Sequence, residues 1–214
     1  MAAEGHLEGL YADIARYYTH KVTTHGTTPL GVDWPCVPTQ ELSFVQLLRL
    51  CDFKTPFSLN DVGCGYGAVL RLLAKRHRRL HIDYLGVDLS PAMVLQARRL
   101  WHKRASTEFV IGNASPRLAD YSIASGIFNV KLNQPEAAWL QFIKTTLSAM
   151  HATSRRGFAV NFLAPLREGL TAQPELYRAR PDLWARHCER EFGMAVEMLA
   201  DYGMQEHTML ARNP

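Results

Sequence analysis

Cysteine is scarce in this chain of 214 residues, and no two cysteines stand close together. Cys36, Cys51, Cys64 and Cys188 form no C-x-x-C unit, so neither a zinc site nor a dithiol redox motif is expected. Long apolar runs are missing as well; none approaches the roughly 18 residues that a membrane helix needs. The opening stretch, Met1-Ala2-Ala3-Glu4-Gly5-His6, has neither the basic nor the apolar region of a signal peptide. The cytoplasm is therefore the expected setting, with no membrane partner. Internal repeats and low-complexity tracts are absent. Charge of neither sign dominates: 24 Lys and Arg stand against 20 Asp and Glu, a net charge of +4. The densest basic run is Lys75-Arg76-His77-Arg78-Arg79, where cations complement the dipole at a helix end. The alternative is a nucleic-acid footprint, which would need more basic residues interleaved with aromatics than the sequence offers. Nucleic acid is not the expected partner. Oligomeric state is unreadable.

What the chain does contain is a glycine loop between a strand and a helix: Leu59-Asn60-Asp61-Val62-Gly63-Cys64-Gly65-Tyr66-Gly67, followed by a helical Ala68 to Arg76. Strand, glycine turn and helix build a nucleotide pocket at the carboxyl edge of an α/β sheet. Glycines allow a ligand to approach the main chain. Asp61, just before them, would repel a phosphate and suits an amine-bearing ligand instead. A second strand, Asp83-Tyr84-Leu85-Gly86-Val87-Asp88, ends in a carboxylate 21 positions after Gly67. That spacing places an acidic group on a ribose diol. Ser90 and Pro91 then open another helix as N-cap and first turn.

On these residues the chain resembles the class I methyltransferases that use S-adenosylmethionine (SAM). The matching segments are Asp61-Val62-Gly63-Cys64-Gly65-Tyr66-Gly67, Val87-Asp88-Leu89-Ser90 and Gly112-Asn113-Ala114, within roughly residues 55–165. The resemblance implies that Asp61, Gly63, Cys64, Gly65 and Gly67 hold the methionine part of SAM. It implies that Asp88, with Leu89, binds the ribose, and that Asn113 and Ala114 face the adenine. S-adenosylhomocysteine (SAH) would be the product. A dinucleotide fingerprint, Gly63-x-Gly65-x-x-Ala68, is formally present too, but Gly67 and Asp61 fit the methyltransferase loop better.

The pattern of elements predicts a single α/β domain of Rossmann-like, doubly wound type. Its sheet is mostly parallel with helices on both faces, an N-terminal helical arm and a lid insertion after the fifth strand. The arm comprises residues 1–52: a helix over 7–22, an irregular stretch over 23–38 rich in Gly and Pro, and a helix over 39–52. The SAM-binding core, 53–163, alternates strands at 57–62, 82–87, 107–111, 121–125 and 156–163 with helices at 67–76, 91–103 and 135–150. Residues 164–214 hold a charged insertion, a helix over 182–200 and one closing strand, Gln205 to Arg212. The final hairpin of the sheet is expected to be shortened.

Methyl transfer from a sulfonium is an in-line displacement, so the protein supplies position and, where needed, a base. The acceptor is expected to be a small molecule bound above the carboxyl ends of the strands. Tyr18 and Lys21 are candidates to reach the SAM carboxylate, and Ser125 is a candidate cofactor contact. His25 is the candidate catalytic base, because the unperturbed histidine pKa lies near working pH; His151 and His187 are its rivals. Trp34, Phe128, Asn129, Asn161, Tyr177 and Arg178 are candidate substrate contacts. Phe128 reads equally as core, and Asn129 and Asn161 as structural groups. The segment Ala124-Ser125-Gly126-Ile127-Phe128-Asn129 lacks the Asn/Asp-Pro-Pro-Tyr/Phe motif of many amino-methylating relatives and the carboxylates of magnesium-dependent ones. These features favour O-methylation without a metal. An N- or S-methyltransferase, an RNA methyltransferase and a SAM-binding protein without catalysis remain open.

Overall fold

Phe57–Val62 (β1) is buried along nearly all of its length, its polar Asn60 and Asp61 included, as a central strand covered on both faces is. The computed structural model describes residues 2–167, 169 and 171–214, with side chains from Leu7 onward except that of Pro181. Met1, Glu168 and Leu170 lie outside the described residues, as do the side chains of residues 2–6, so the reading of Met1–His6 and part of the insertion falls there. After β1 come Ala68–Arg76 (α3), Ile82–Asp88 (β2), Pro91–Trp101 (α4), Thr107–Ile111 (β3), Ala119–Ala124 (β4), Glu136–Ala152 (α5) and Ser154–Leu163 (β5). Ahead of them stand Ala2–His25 (α1), a 3-10 turn at Pro29–Val32 and Val37–Leu48 (α2). The chain ends with Pro181–Phe192 (α6), Ala195–Leu199 (β6) and Glu206–Arg212 (β7).

The seven strands form one sheet in the order β3-β2-β1-β4-β5-β7-β6. The first five are mutually parallel, and β7 runs antiparallel to both β5 and β6. The sheet is therefore doubly wound and mostly parallel, with its order reversing between β1 and β4. An open α/β sheet leaves its ligand crevice at such a switch point. One face packs on α1, α5 and α6 through residues such as Phe128, Trp139, Phe158 and Phe162. The other packs on α2, α3 and α4 through residues such as Phe44, Leu70, Tyr84 and Ala97.

Two expectations need correction. The helix over 182–200 stops at Phe192, because Gly193 takes a left-handed conformation (φ 65°) and its N–H closes back on the last turn. Residues 195–199 then form β6, so the terminal hairpin is complete rather than shortened. The irregular 23–38 stretch is also partly regular: α1 continues to His25, and Pro29 opens the 3-10 turn.

Candidate active site

The glycine loop leaves β1 at Val62 and is fastened at once to β2, since Gly63 and Cys64 both donate to the Val87 carbonyl at 2.7 and 3.0 Å. Gly63 sits at φ 71°, and a Cβ there would stand 2.1 Å from Ile127 Cγ2. No other residue fits that crossing of two loops. Asp88, at the end of β2, receives the Gly65 N–H on one carboxylate oxygen and the Ser90 N–H on the other, each at 2.8 Å. Ser90 caps α4 by accepting from Met93 N, and its hydroxyl meets Thr19 of α1 at 2.7 Å. The loop, the second strand and the covering helix are thus joined through one carboxylate and one cap.

Between these elements lies a cavity with about 910 Å³ of empty space, its open mouth included. Asp61, Gly63, Cys64, Gly65, Asp88, Leu89, Asn113, Ser125 and Tyr18 all line it, so the structure brings these expected cofactor positions together. Asp61 is almost fully buried and accepts the Tyr84 hydroxyl at 2.6 Å. Burial pushes its carboxyl up to about 7, and that of Asp88 up to about 6. Two desolvated carboxylates with free lone pairs in one apolar cleft fit a ligand that carries an ammonium and a ribose diol. Ser125 Oγ, on the same wall, is buried without a hydrogen-bond partner. The donor and acceptor set therefore fits a ligand of the size and chemistry of SAM.

Other expected positions lie elsewhere. Gly67 caps α3 with φ 78°, and a Cβ there would meet Trp101 Nε1 at 2.8 Å, so its role is packing. Ala114 is outside the cavity lining. Lys21 is held in an ion pair with Asp33. His25 is exposed on the last turn of α1 and does not reach the cavity; the helix runs three residues further than the sequence suggests and carries it past the opening. Its rivals His151 and His187 do not line the cavity either, and each stacks or packs on Phe192.

Of the candidate substrate contacts, Trp34 lines the cavity, and a Cβ on Gly126 would lie 3.9 Å from its Cζ2. Phe128 is instead fully buried core, stacked on Phe162 at 5.1 Å. Asn129 uses its side chain to accept the Leu163 N–H at 3.1 Å. Tyr177 is packed in the core, where its hydroxyl accepts from Trp184 Nε1 at 3.2 Å. Arg178 donates to the Ala164 carbonyl at 2.9 Å. Asn161 is fully buried behind the wall, where each side of its amide already has partners. The described part of the 164–180 segment lines none of the cavity; it packs along residues 129–132 through Tyr177 N to Asn129 O and Lys131 N to Glu175 O. The cover is built from α1, the 3-10 turn and α2. These contribute Ile14, Val32, Gln40 and Phe44, and α5 adds Phe142 and Thr146. Sequence reasoning missed all six, and their only signal was an apolar spacing that core residues share.

The basic run Lys75–Arg79 ends α3, a helix that begins at the carboxyl edge of the sheet and runs nine residues away from it, about 13 Å. It lies at the edge opposite the cavity. Among the described residues no three His, Cys, Asp or Glu are grouped to hold a metal ion, and no helix is long and apolar enough to cross a membrane.

A parallel sheet with an antiparallel seventh strand set between the fifth and sixth, and a cavity at its switch point lined by the glycine loop and two buried carboxylates, define a class I SAM-dependent methyltransferase. Comparison with known proteins makes the assignment direct. Residues 60–155 match a family described as a methyltransferase domain. The chain is 41% identical over 165 residues to Rv1506c of Mycobacterium tuberculosis, itself provisionally named a methyltransferase, covering 77% of this chain and 98% of that protein. The chain belongs to this methyltransferase family. Its fold is shared with magnesium protoporphyrin IX methyltransferase from Synechocystis with bound SAH, at a TM-score of 0.60, 17% identity and 83% of each chain. It is also shared with the SAH complex of DhpI, at 0.64, 15% identity, 96% of this chain and 97% of that one.

Proposed function

We propose that the chain transfers the methyl group of SAM to a small, largely apolar molecule, at an acidic oxygen such as that of a phenol or enol. One observation carries this reading: among the described residues no Lys, Arg, His or Glu lines the cavity, whose walls beyond Asp61 and Asp88 are mainly aromatic and aliphatic, with the uncharged polar side chains of Gln40, Asn113, Ser125 and Thr146 between them. Ile14, Val32, Trp34 and Phe44 would bury the flat body of such an acceptor, and Ser125 Oγ would meet its one polar group. Asp61 would hold the cofactor ammonium and Asp88 the ribose hydroxyls, while the bound cofactor supplies an electrophilic methyl group. The residues of the chain then act by position and by excluding water. Without a basic group at hand, the acceptor has to ionise by itself, which selects acidic hydroxyls over alcohols.

The test has two stages. Calorimetric titration with SAH, with NADP in parallel, asks for saturable binding of the first alone. Turnover with SAM is then followed by mass spectrometry over phenols, enols, aliphatic alcohols, amines, thiols and RNA. Methylation of acidic hydroxyls supports the reading. Products only from amines or thiols would replace the oxygen, RNA products would replace the small acceptor, and SAH binding without turnover over the whole panel would favour a non-catalytic role.

A further inference from the structure

The wall behind Gly126 contains a buried carboxylate that the cofactor pocket leaves unexplained. Gly126 donates its N–H to Asn161 Oδ1 at 2.7 Å. A backbone N–H can only donate, so this contact fixes the amide orientation and turns Asn161 Nδ2 away from the cavity. There Nδ2 donates to Glu206 Oε2 and to Ser43 Oγ, both at 2.9 Å. Glu206 Oε1 accepts the Tyr202 hydroxyl at 3.1 Å. Asn161 and Glu206 are diagonal neighbours on the paired strands β5 and β7, where Asn161 stands opposite Thr208 and Leu163 opposite Glu206. Glu206 is 4% exposed, and among the described residues it forms no ion pair.

A buried carboxylate without a counter-charge is costly, and burial pushes the Glu206 carboxyl above the ordinary carboxylate range. A Gln in its place could accept from Asn161 on its one oxygen and donate to the Tyr202 oxygen, whose hydroxyl would then turn to Thr208. The direction in which Glu206 acts is set by the chain of bonds. Each donor–acceptor step from the carboxylate through the Asn161 amide polarises the next. The last step polarises the peptide between Ser125 and Gly126. In a trans peptide the C=O points opposite to the N–H. Since the Gly126 N–H points back to Asn161, the Ser125 carbonyl points the other way, on the cavity side of a segment whose Ser125 and Gly126 both line the cavity.

We propose that Glu206, acting through Asn161 and the Ser125–Gly126 peptide, is a specificity-determining positioning residue that makes the pocket prefer the cationic cofactor over its neutral product. The inference rests on the reading of the cavity as a SAM site. SAM and SAH share the ammonium, carboxylate, ribose and adenine, and differ by one methyl group and the sulfonium charge. A negative potential focused on that wall therefore acts on the difference between them. The counter-charge that Glu206 lacks among the described residues is then supplied by the sulfonium of SAM.

The test compares SAM and SAH affinities by calorimetry at pH 8 in the full chain and in Glu206→Gln, Glu206→Leu and Tyr202→Phe, each checked for folding by circular dichroism. Loss of the charge is expected to raise the Kd of SAM about three- to tenfold more than that of SAH, an effect sized for one charge acting across a few residues of protein. Either Glu206 variant that folds decides the matter. Tyr202→Phe, which trims the network but keeps the carboxyl group and its bond from Asn161, should leave the ratio of the two Kd values within about twofold of the parent. Equal weakening of both ligands in the Glu206 variants, or the same ratio change in Tyr202→Phe, would overturn the proposal while leaving the cofactor reading intact. Failure of the unaltered protein to bind either ligand would overturn both.

Discussion

Asp88 and Gly65 are joined by a 2.8 Å hydrogen bond from the loop amide to the carboxylate. Asp88, which we propose holds the ribose, thus also shapes the glycine loop. Its second oxygen takes the Ser90 N–H and so steadies the start of α4. Asp88→Ala should therefore lose SAH binding by more than about 30-fold and also lower stability, by the roughly 1–3 kcal/mol that follows when buried donors lose their acceptor. Asp88→Asn keeps only one acceptor and cannot serve both amides, so it should fall between the two. Calorimetry and denaturant melts on the three proteins check the order.

Asp61 shows the cost of such a site. Burial raises its carboxyl from the ordinary 3.8 to about 7 in the folded chain. A raised carboxyl stabilises the fold below the unfolded value, and that contribution fades as pH climbs from about 3.8 through about 7. Near pH 8 the ligand-free protein therefore carries a burden on the order of a few kcal/mol. Asp61→Asn keeps an acceptor for the Tyr84 hydroxyl and removes the charge. It should melt higher than the parent at pH 8, with the advantage shrinking as pH falls below about 7 and vanishing only near about 3.8, while SAH binding is lost. An Asn variant that is less stable at pH 8 would contradict this account.

The same shift sets the pH dependence of binding. An ammonium needs the ionised carboxylate, so SAH affinity of the parent should decline as pH drops below about 7. Isothermal titrations from pH 5.5 to 8.5 check the slope.

His25 is exposed and outside the cavity, whereas Trp34 faces Gly126 across it. Once an acceptor is identified, His25→Ala should leave kcat and KM within about twofold, as surface changes do. Trp34→Ala should raise the acceptor KM roughly tenfold or more, the scale of a lost aromatic contact, with SAH affinity little changed. Steady-state kinetics on the two variants separate the roles.

The different fates of these residues show what a sequence carries. Asp61, Gly65 and Asp88 are legible because their work is local: a turn needs glycine, and a strand end presents its carboxylate. Trp34, Gln40, Phe44, Phe142 and Thr146 come from separate elements, and only folding brings them to one cavity. Asn161 meets partners as distant as Ser43 and Glu206, so its role behind the wall has no local pattern. β6 was hidden because Val196 and Leu199 continue the apolar spacing of α6, and only the left-handed Gly193 marks the break.

Gly63 offers a last test, because two penalties coincide there. A methyl at this position would collide with Ile127 Cγ2 at 2.1 Å, and φ 71° is unfavourable to any L side chain. The conformational part is about 1–2 kcal/mol for alanine, and the collision adds overpacking of similar size or more. Ile127→Ala removes the opposing side chain at the modest cost of truncating a partly buried residue. Gly63→Ala alone should therefore destabilise by about 3 kcal/mol or more, and the double variant should recover the steric part but not the conformational part. Denaturant melts of the four proteins yield the coupling energy directly. A coupling near zero would mean that the loop moves aside freely. A coupling of about 1–3 kcal/mol would show that the glycine is required by the chain that packs on it before any ligand arrives.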